Sequence, residues 1–250
     1  AGGVFREGTT ATDAVSIFRS RGVNTVRARL WVDPPAGQSD LPSVLAVARR
    51  AQAAGMELLL DLHYSDTWAD PGTQTKPAAW SGLSGTALRD RVREYTRSVV
   101  AALAAQGTPP SIVQIGNEVT NGLLWPDGEL YGVRAGGFAG LAALLQAGIA
   151  GVREALPLAG SGASPRIMIH IDRGGDNAGS RWFFDHLTTE GVSFDLIGLS
   201  YYPWWHGSLS ALQTNLSDLA GRYGKPVCVV ETAYPWTLGW NDNTGNVVGL

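Results

Sequence analysis

Short apolar runs alternate with longer amphipathic stretches from one end of this chain to the other. The runs at residues 25–32, 57–63, 112–116, 167–171, 196–199 and 227–230 are rich in Val, Ile and Leu and have the length of strands buried on both faces. Apolar positions at helical spacing predict helices over 12–20, 41–54, 87–105, 137–155, 180–189 and 209–223. Their ends carry the expected punctuation: Asp40 stands ready to cap before Pro42, and Gly22, Gly55, Gly107, Gly191 and Gly224 follow helix ends. No exact repeat and no linker interrupts the pattern, so residues 1–250 read as a single domain.

Strict alternation of strand and helix implies an α/β fold with a parallel sheet and right-handed crossovers. A closed barrel and a doubly wound sheet both satisfy it. No glycine-rich phosphate fingerprint follows a strand, because Gly2-Gly3 lacks a preceding strand and the glycines at 136, 137 and 140 open a helix pattern. That weighs against the nucleotide-binding alternative.

Composition narrows the function further. The chain carries a net charge of -3 and no basic run, which argues against a nucleic-acid partner. Its longest apolar stretches, such as residues 139–150, are too short and too glycine-broken to span a membrane. The one cysteine, Cys228, lies in an apolar run and reads as a small buried hydrophobe.

The chemistry concentrates after the strands, where a barrel builds its active site. Eight of the nine tryptophans fall there: Trp31, Trp68, Trp80, Trp125, Trp204, Trp205, Trp236 and Trp240. Flat amphipathic rings suit sugar faces, although some of these side chains are expected merely to pad the barrel rim. Trp182, in a helix pattern, is expected in the core. Glu118, in Gly116-Asn117-Glu118, and Glu231, in Glu231-Thr232, each place a carboxylate at a strand tip. Glycosidic cleavage needs two such groups flanking one bond; taken alone, either residue equally suits an ion pair with arginine. Asp61 and His63 share a strand face, where they either bind substrate or satisfy each other inside the barrel. Arg27 and Arg29 also share a face, and an arginine beside a carboxylate keeps it ionised. His170 and His206, even with His63, match no familiar metal-ligand spacing.

Several stretches together resemble the endo-beta-1,4-galactanases of glycoside hydrolase family 53. They are Val26-Arg27-Ala28-Arg29-Leu30-Trp31-Val32, the long run Leu60-Asp61-Leu62-His63-Tyr64-Ser65-Asp66-Thr67-Trp68-Ala69-Asp70-Pro71, Gln114-Ile115-Gly116-Asn117-Glu118, Leu199-Ser200-Tyr201-Tyr202-Pro203-Trp204-Trp205, and Val230-Glu231-Thr232-Ala233-Tyr234-Pro235. The run from His63 to Pro71 is the specific one, whereas Asn117-Glu118 alone indicates only the wider clan of retaining barrels. The resemblance implies a (β/α)8 TIM barrel that hydrolyses internal beta-1,4-galactosyl linkages of type I arabinogalactan, a pectic polysaccharide, with retention of configuration. It assigns Glu118 as acid/base and Glu231 as nucleophile, Asn117 to the sugar 2-hydroxyl, and Arg29 and Tyr202 to orienting Glu231. It also places Asp61, His63, Asp66, Trp68, Trp204 and Trp236 on the substrate side.

Two family features are absent from the pattern: a strand before residues 12–20 and a last strand bearing an aromatic-Trp-Glu-Pro segment. The expectation is therefore a catalytic barrel truncated at both ends, without its first and last strands. No cofactor is implied. Some members hold calcium near the segment corresponding to 236–246, where Asp242 and Asn246 offer oxygen ligands and where the sequence is also that of an ordinary turn. The implied protein is a secreted or periplasmic monomer. The alternatives are a mannanase or xylanase of the same clan, or a non-catalytic carbohydrate-binding protein.

Overall fold

The computed structural model describes residues 4–155 and 164–234. Six strands form one parallel sheet: β1 (Thr25–Leu30), β2 (Glu57–Leu62), β3 (Ile112–Ile115), β4 (Arg166–Ile171), β5 (Leu196–Tyr201) and β6 (Val227–Thr232). Their spatial order is their chain order, and each neighbouring pair is parallel. The helices of seven residues or more are α1 (Ala14–Ser20), α2 (Leu41–Ala53), α3 (Gly85–Ala105), α4 (Gly137–Ala155), α5 (Asn177–Thr189) and α6 (Leu209–Tyr223), with a single helical turn at Pro203–His206 after β5. Sequential order with a helix in every crossover is barrel topology; a doubly wound sheet reverses direction part-way. Among the described residues, the fold is a partial (β/α)8 barrel that lacks the first and last strands.

The strands are apolar because they are covered twice. Every residue of β3 and β5 is buried, as is all of β2 and β4 after the first residue of each. One face packs on the helices, where Leu60, Leu62, Val113, Ile115, Ile169 and Leu199 meet Leu88 and Val92 of α3, Leu141 and Leu145 of α4 and Phe183 and Phe184 of α5 in one cluster. The other face lines the barrel interior and carries polar groups at alternate positions. In register across three strands stand Arg29, Asp61 and Gln114.

Helix starts follow local chemistry. Asp40 accepts from the Ser43 amide, with proline in the first turn; Asp176 caps α5 through the Gly179 amide, so that helix begins three residues earlier than its apolar period indicates.

Two expectations fail. Cys228 is exposed, because β6 has one described neighbour and none of its residues is buried. Trp182 is 41% exposed and lies nearly parallel to the ring of Tyr131, so it sits on the surface of α5.

Candidate active site

Glu118 is aimed by backbone geometry. After β3, Gly116 takes φ +80°, and Glu118 itself adopts the left-handed conformation at φ 46°, ψ 52°. A Cβ at residue 116 would stand 2.6 Å from Val119 Cγ1, so only glycine allows this turn. A glutamate held left-handed is sparsely populated strain of the kind that collects at functional sites. The turn leaves Glu118 9% exposed, with Oε1 accepting from Ser200 Oγ at 2.5 Å. Burial drives its pKa up to about 8; Glu231, Asp172 and Asp70 add to the rise, and the Ser200 hydrogen bond opposes it.

Glu231 reaches the same place through an irregularity. The pairing of β6 with β5 slips between Val229 and Glu231, so that Glu231 falls level with Ser200. A bulge of this kind re-aims one side chain. Arg27 Nη1 donates to Glu231 Oε1 at 2.8 Å, and Tyr202 Oη donates to Oε2 at 3.1 Å. Burial and the neighbouring Glu231 push the Tyr202 phenol upward, which keeps it a donor.

Beneath the two carboxylates lies a buried polar network. Arg27 also donates through Nη2 to Asn117 Oδ1 at 2.8 Å and through Nε to Gln114 Oε1 at 3.1 Å, and its Nη2 lies 3.0 Å from Asp61 Oδ2. Burial disfavours the guanidinium charge, but Asp61 and Glu231 outweigh it and raise the Arg27 pKa. Gln114 Nε2 donates to Asp61 Oδ1 at 2.7 Å. Burial also works against the Asp61 carboxylate, yet His63 and Arg27 beside it hold its pKa below the usual range. His170 is fully buried; burial first, then Arg27, depresses its pKa well below the ordinary value, so its ring is neutral.

Several sequence-predicted residues stand elsewhere than expected. Arg29 does not reach Glu231: its Nε donates to Ser39 Oγ, and its guanidinium lies 3.7 Å over the Trp68 ring. Arg27, two positions earlier, occupies the orienting place. Asp61 and His63 are 0% and 1% exposed and bond to each other at 3.0 Å, so they satisfy each other inside the barrel. The Ala69 amide donates to His63 Nδ1, which leaves Nε2 to carry the proton toward Asp61. Asp66 accepts from the backbone amides of Asp33 and Ala78 and so holds loops together. Asn117 donates through Nδ2 to the Ala69 carbonyl. Ser200, Asp70 and Asp172 carry no sequence expectation; the signal that reveals Ser200 is alternation along β5, which puts it on the interior face with Gly198.

Glu118 and Glu231 line one cleft of about 560 Å³, together with Asp70, Asp172, Tyr202, Trp204, Trp205, His206 and Tyr234. Trp205 is 65% and Trp68 52% exposed, whereas Trp80 is packed in the core against Tyr64 and Tyr95. Among the described residues, no group of three or more His, Cys, Asp or Glu side chains is placed to hold a metal ion, and no helix is long and apolar enough to cross a membrane. Trp236, Trp240, Asp242 and Asn246 lie outside the described residues.

Comparison with known proteins places this geometry among relatives. The profile described as Glycosyl hydrolase family 53 matches residues 2–250. An uncharacterized protein of Niallia circulans is 47% identical over 241 residues, covering 95% of this chain and 64% of that protein. A probable arabinogalactan endo-beta-1,4-galactanase A of Aspergillus terreus is 44% identical over 227 residues, covering 88% of this chain and 62% of the relative. The solved catalytic domain of the Ignisphaera aggregans member superposes with a TM-score of 0.86 at 38% identity, covering 97% of this chain and 66% of that one. The chain thus spans less than two thirds of the length of each of these relatives.

Proposed function

Since the chain belongs to glycosyl hydrolase family 53, we propose that it cleaves internal beta-1,4-galactosyl linkages of type I arabinogalactan by double displacement, with Glu118 as acid/base and Glu231 as nucleophile. The observation that carries this reading is the contrast between two carboxyls in one cleft. One is buried and pushed up to about 8; the other is ion-paired with a guanidinium and accepts from a phenol. A general acid needs its proton at neutral pH and a nucleophile needs its charge, so their surroundings must differ in this sense.

In the first step the Glu231 carboxylate attacks the anomeric carbon while Glu118 gives its proton to the departing glycosidic oxygen. The product is a galactosyl ester on Glu231 and a shortened chain. In the second step the Glu118 carboxylate takes a proton from water as that water's oxygen attacks the anomeric carbon, which releases Glu231 and restores the original configuration. Arg27 and Tyr202 hold the nucleophile in place, the Nδ2 proton that Asn117 does not give to Ala69 serves the sugar 2-hydroxyl, and Trp204 and Trp205 offer ring faces to neighbouring sugars.

Incubation with galactan, xylan and mannan, followed by reducing-end analysis, tests the proposal. Release from galactan alone, with the product's anomeric proton signal first appearing in the beta configuration, supports it. Release from xylan or mannan instead indicates a different clan activity, and binding without release from any polymer rejects an enzyme. Glu231→Ala is expected to abolish turnover and keep polysaccharide binding.

A further inference from the structure

Ser200 is the only side chain among the described residues that hydrogen-bonds the Glu118 carboxyl, and it does so from a fully buried position. Behind it, His170 Nε2 lies 2.9 Å from Ser200 Oγ. The pair is built into the sheet. His170 on β4 stands in register with Gly198 on β5, and a Cβ at residue 198 would lie 2.9 Å from Met168 Sδ and 3.3 Å from His170 Cβ, so glycine there lets the side chains of β4 pack closely against β5. Two residues further along the same strand face comes Ser200.

We propose that Ser200, supported by His170, is a positioning residue that dedicates Oε1 of Glu118 to accepting a hydrogen bond, so that the transferable proton rides on Oε2. This rests on the reading of Glu118 as the acid/base. The Glu118 amide and Gln114 Nε2 face His170 Nδ1 at 3.4 and 3.2 Å, and Asn117 Oδ1, 3.0 Å from the same nitrogen, already accepts from Arg27, so the single ring proton is assigned to Nε2. Ser200 has one hydroxyl proton; given to Oε1, it leaves Ser200 Oγ as the acceptor for His170 Nε2–H. His170 carries one ring proton and its burial prevents a second, so it cannot draw the Glu118 proton through the hydroxyl into the protein. Among the described residues Oε2 has no protein partner, and it remains the oxygen through which Glu118 can meet a glycosidic oxygen in the cleft. After proton transfer the same hydroxyl steadies the carboxylate while it waits to act as base. The other charged groups facing Glu118 are Glu231 on β6, Asp172 after β4 and Asp70 after β2, all of which disfavour its ionisation; Ser200 is the group that favours it.

The test is Ser200→Ala, a truncation that leaves no steric burden. Titration of the Glu118 carboxyl is followed by carbon-13 NMR in protein labelled at glutamate carboxyls, the signal being assigned by its loss in Glu118→Gln. Removing one charge-assisted hydrogen bond is expected to raise the midpoint by about one pH unit. The alkaline limb of kcat/KM on galactan should move up by the same amount, with kcat lowered on the order of tenfold and KM nearly unchanged, since the change falls on proton delivery and not on binding. A carboxyl midpoint that stays at its wild-type position overturns the proposal. Absence of galactan hydrolysis by the wild-type protein instead rejects the proposed function, and the titration still reports on Ser200.

Discussion

Arg27 and Arg29 stand two positions apart on the same face of β1, and their sequence contexts are nearly identical. Arg27 touches Asp61, Gln114, Asn117 and Glu231, while Arg29 touches a serine hydroxyl and two indole rings. That division was not legible in the sequence, because strand alternation sets which face a side chain takes but not how deep in the barrel it sits. Position along the strand settles the depth, and with it the partners. Arg27→Ala strands the fully buried Asp61 without its guanidinium and is expected to cost about 3 to 5 kcal/mol, whereas Arg29→Ala should cost less than about 1 kcal/mol; urea unfolding of the two variants measures the contrast. Glu118 gives a second prediction. Its folded pKa near 8 lies above the ordinary 4.5, so the folded protein keeps a proton that the unfolded chain has already released. The protonated state favours the fold; this contribution is fully present below pH 4.5 and is lost as pH climbs through 8, at no more than about 1.4 kcal/mol per pH unit. Thermal melts should therefore show Glu118→Gln losing less stability than the wild type across that window. Activity should instead hold across that window and fall only as pH passes 8, where folded Glu118 itself loses the proton it has to give.

At the scale of elements the sequence was far more informative, since burial on both faces writes long apolar runs and one-sided burial writes a helical period. All six strands and all six helices lie where those periods put them, with ends displaced by a few residues. The short antiparallel pair Gly122–Leu123 with Gly128–Glu129 was not anticipated, because two-residue strands have no period to read. Nor was the slip in β6, which depends on the partner strand and leaves no mark in Val227–Thr232 itself. Close helix approach is similarly silent. Gly151 lies mid-helix in α4, where alanine gains roughly 1 kcal/mol of propensity. A Cβ there, however, would run into the Arg93 carbonyl and stand 2.9 Å from Thr96 Cβ on α3. Overpacking of that kind typically costs about 1 to 3 kcal/mol and involves backbone, which cannot swing aside. Gly151→Ala is thus expected to lower the melting temperature, while a rise would mean that α3 and α4 can part without penalty.

For the whole molecule, the two carboxylates come from unlike places in one sheet. Glu118 follows β3, which is completely buried and flanked by β2 and β4; Glu231 sits on β6, which has one described neighbour and no buried residue. Local opening costs least where backbone hydrogen bonds face solvent and apolar contacts are few, so β6 is expected to open far more readily than β3. Among the described salt bridges, the Arg27–Glu231 pair is the one that ties β6 across the barrel mouth to β1, the strand at the opposite end of the sheet. Exchange followed by mass spectrometry should therefore show amides of 227–232 exchanging well before those of 112–115. Under the proposed function, a galacto-oligosaccharide seated in the cleft contacts both carboxylates only when β6 is closed, so it should bind the closed form and slow exchange in 227–232 by mass action, about a hundredfold at one hundred times its Kd. Equal exchange in the two strands, or protection by ligand that spares β6, would show that the strand bearing Glu231 is held by contacts other than the ion pair across the mouth.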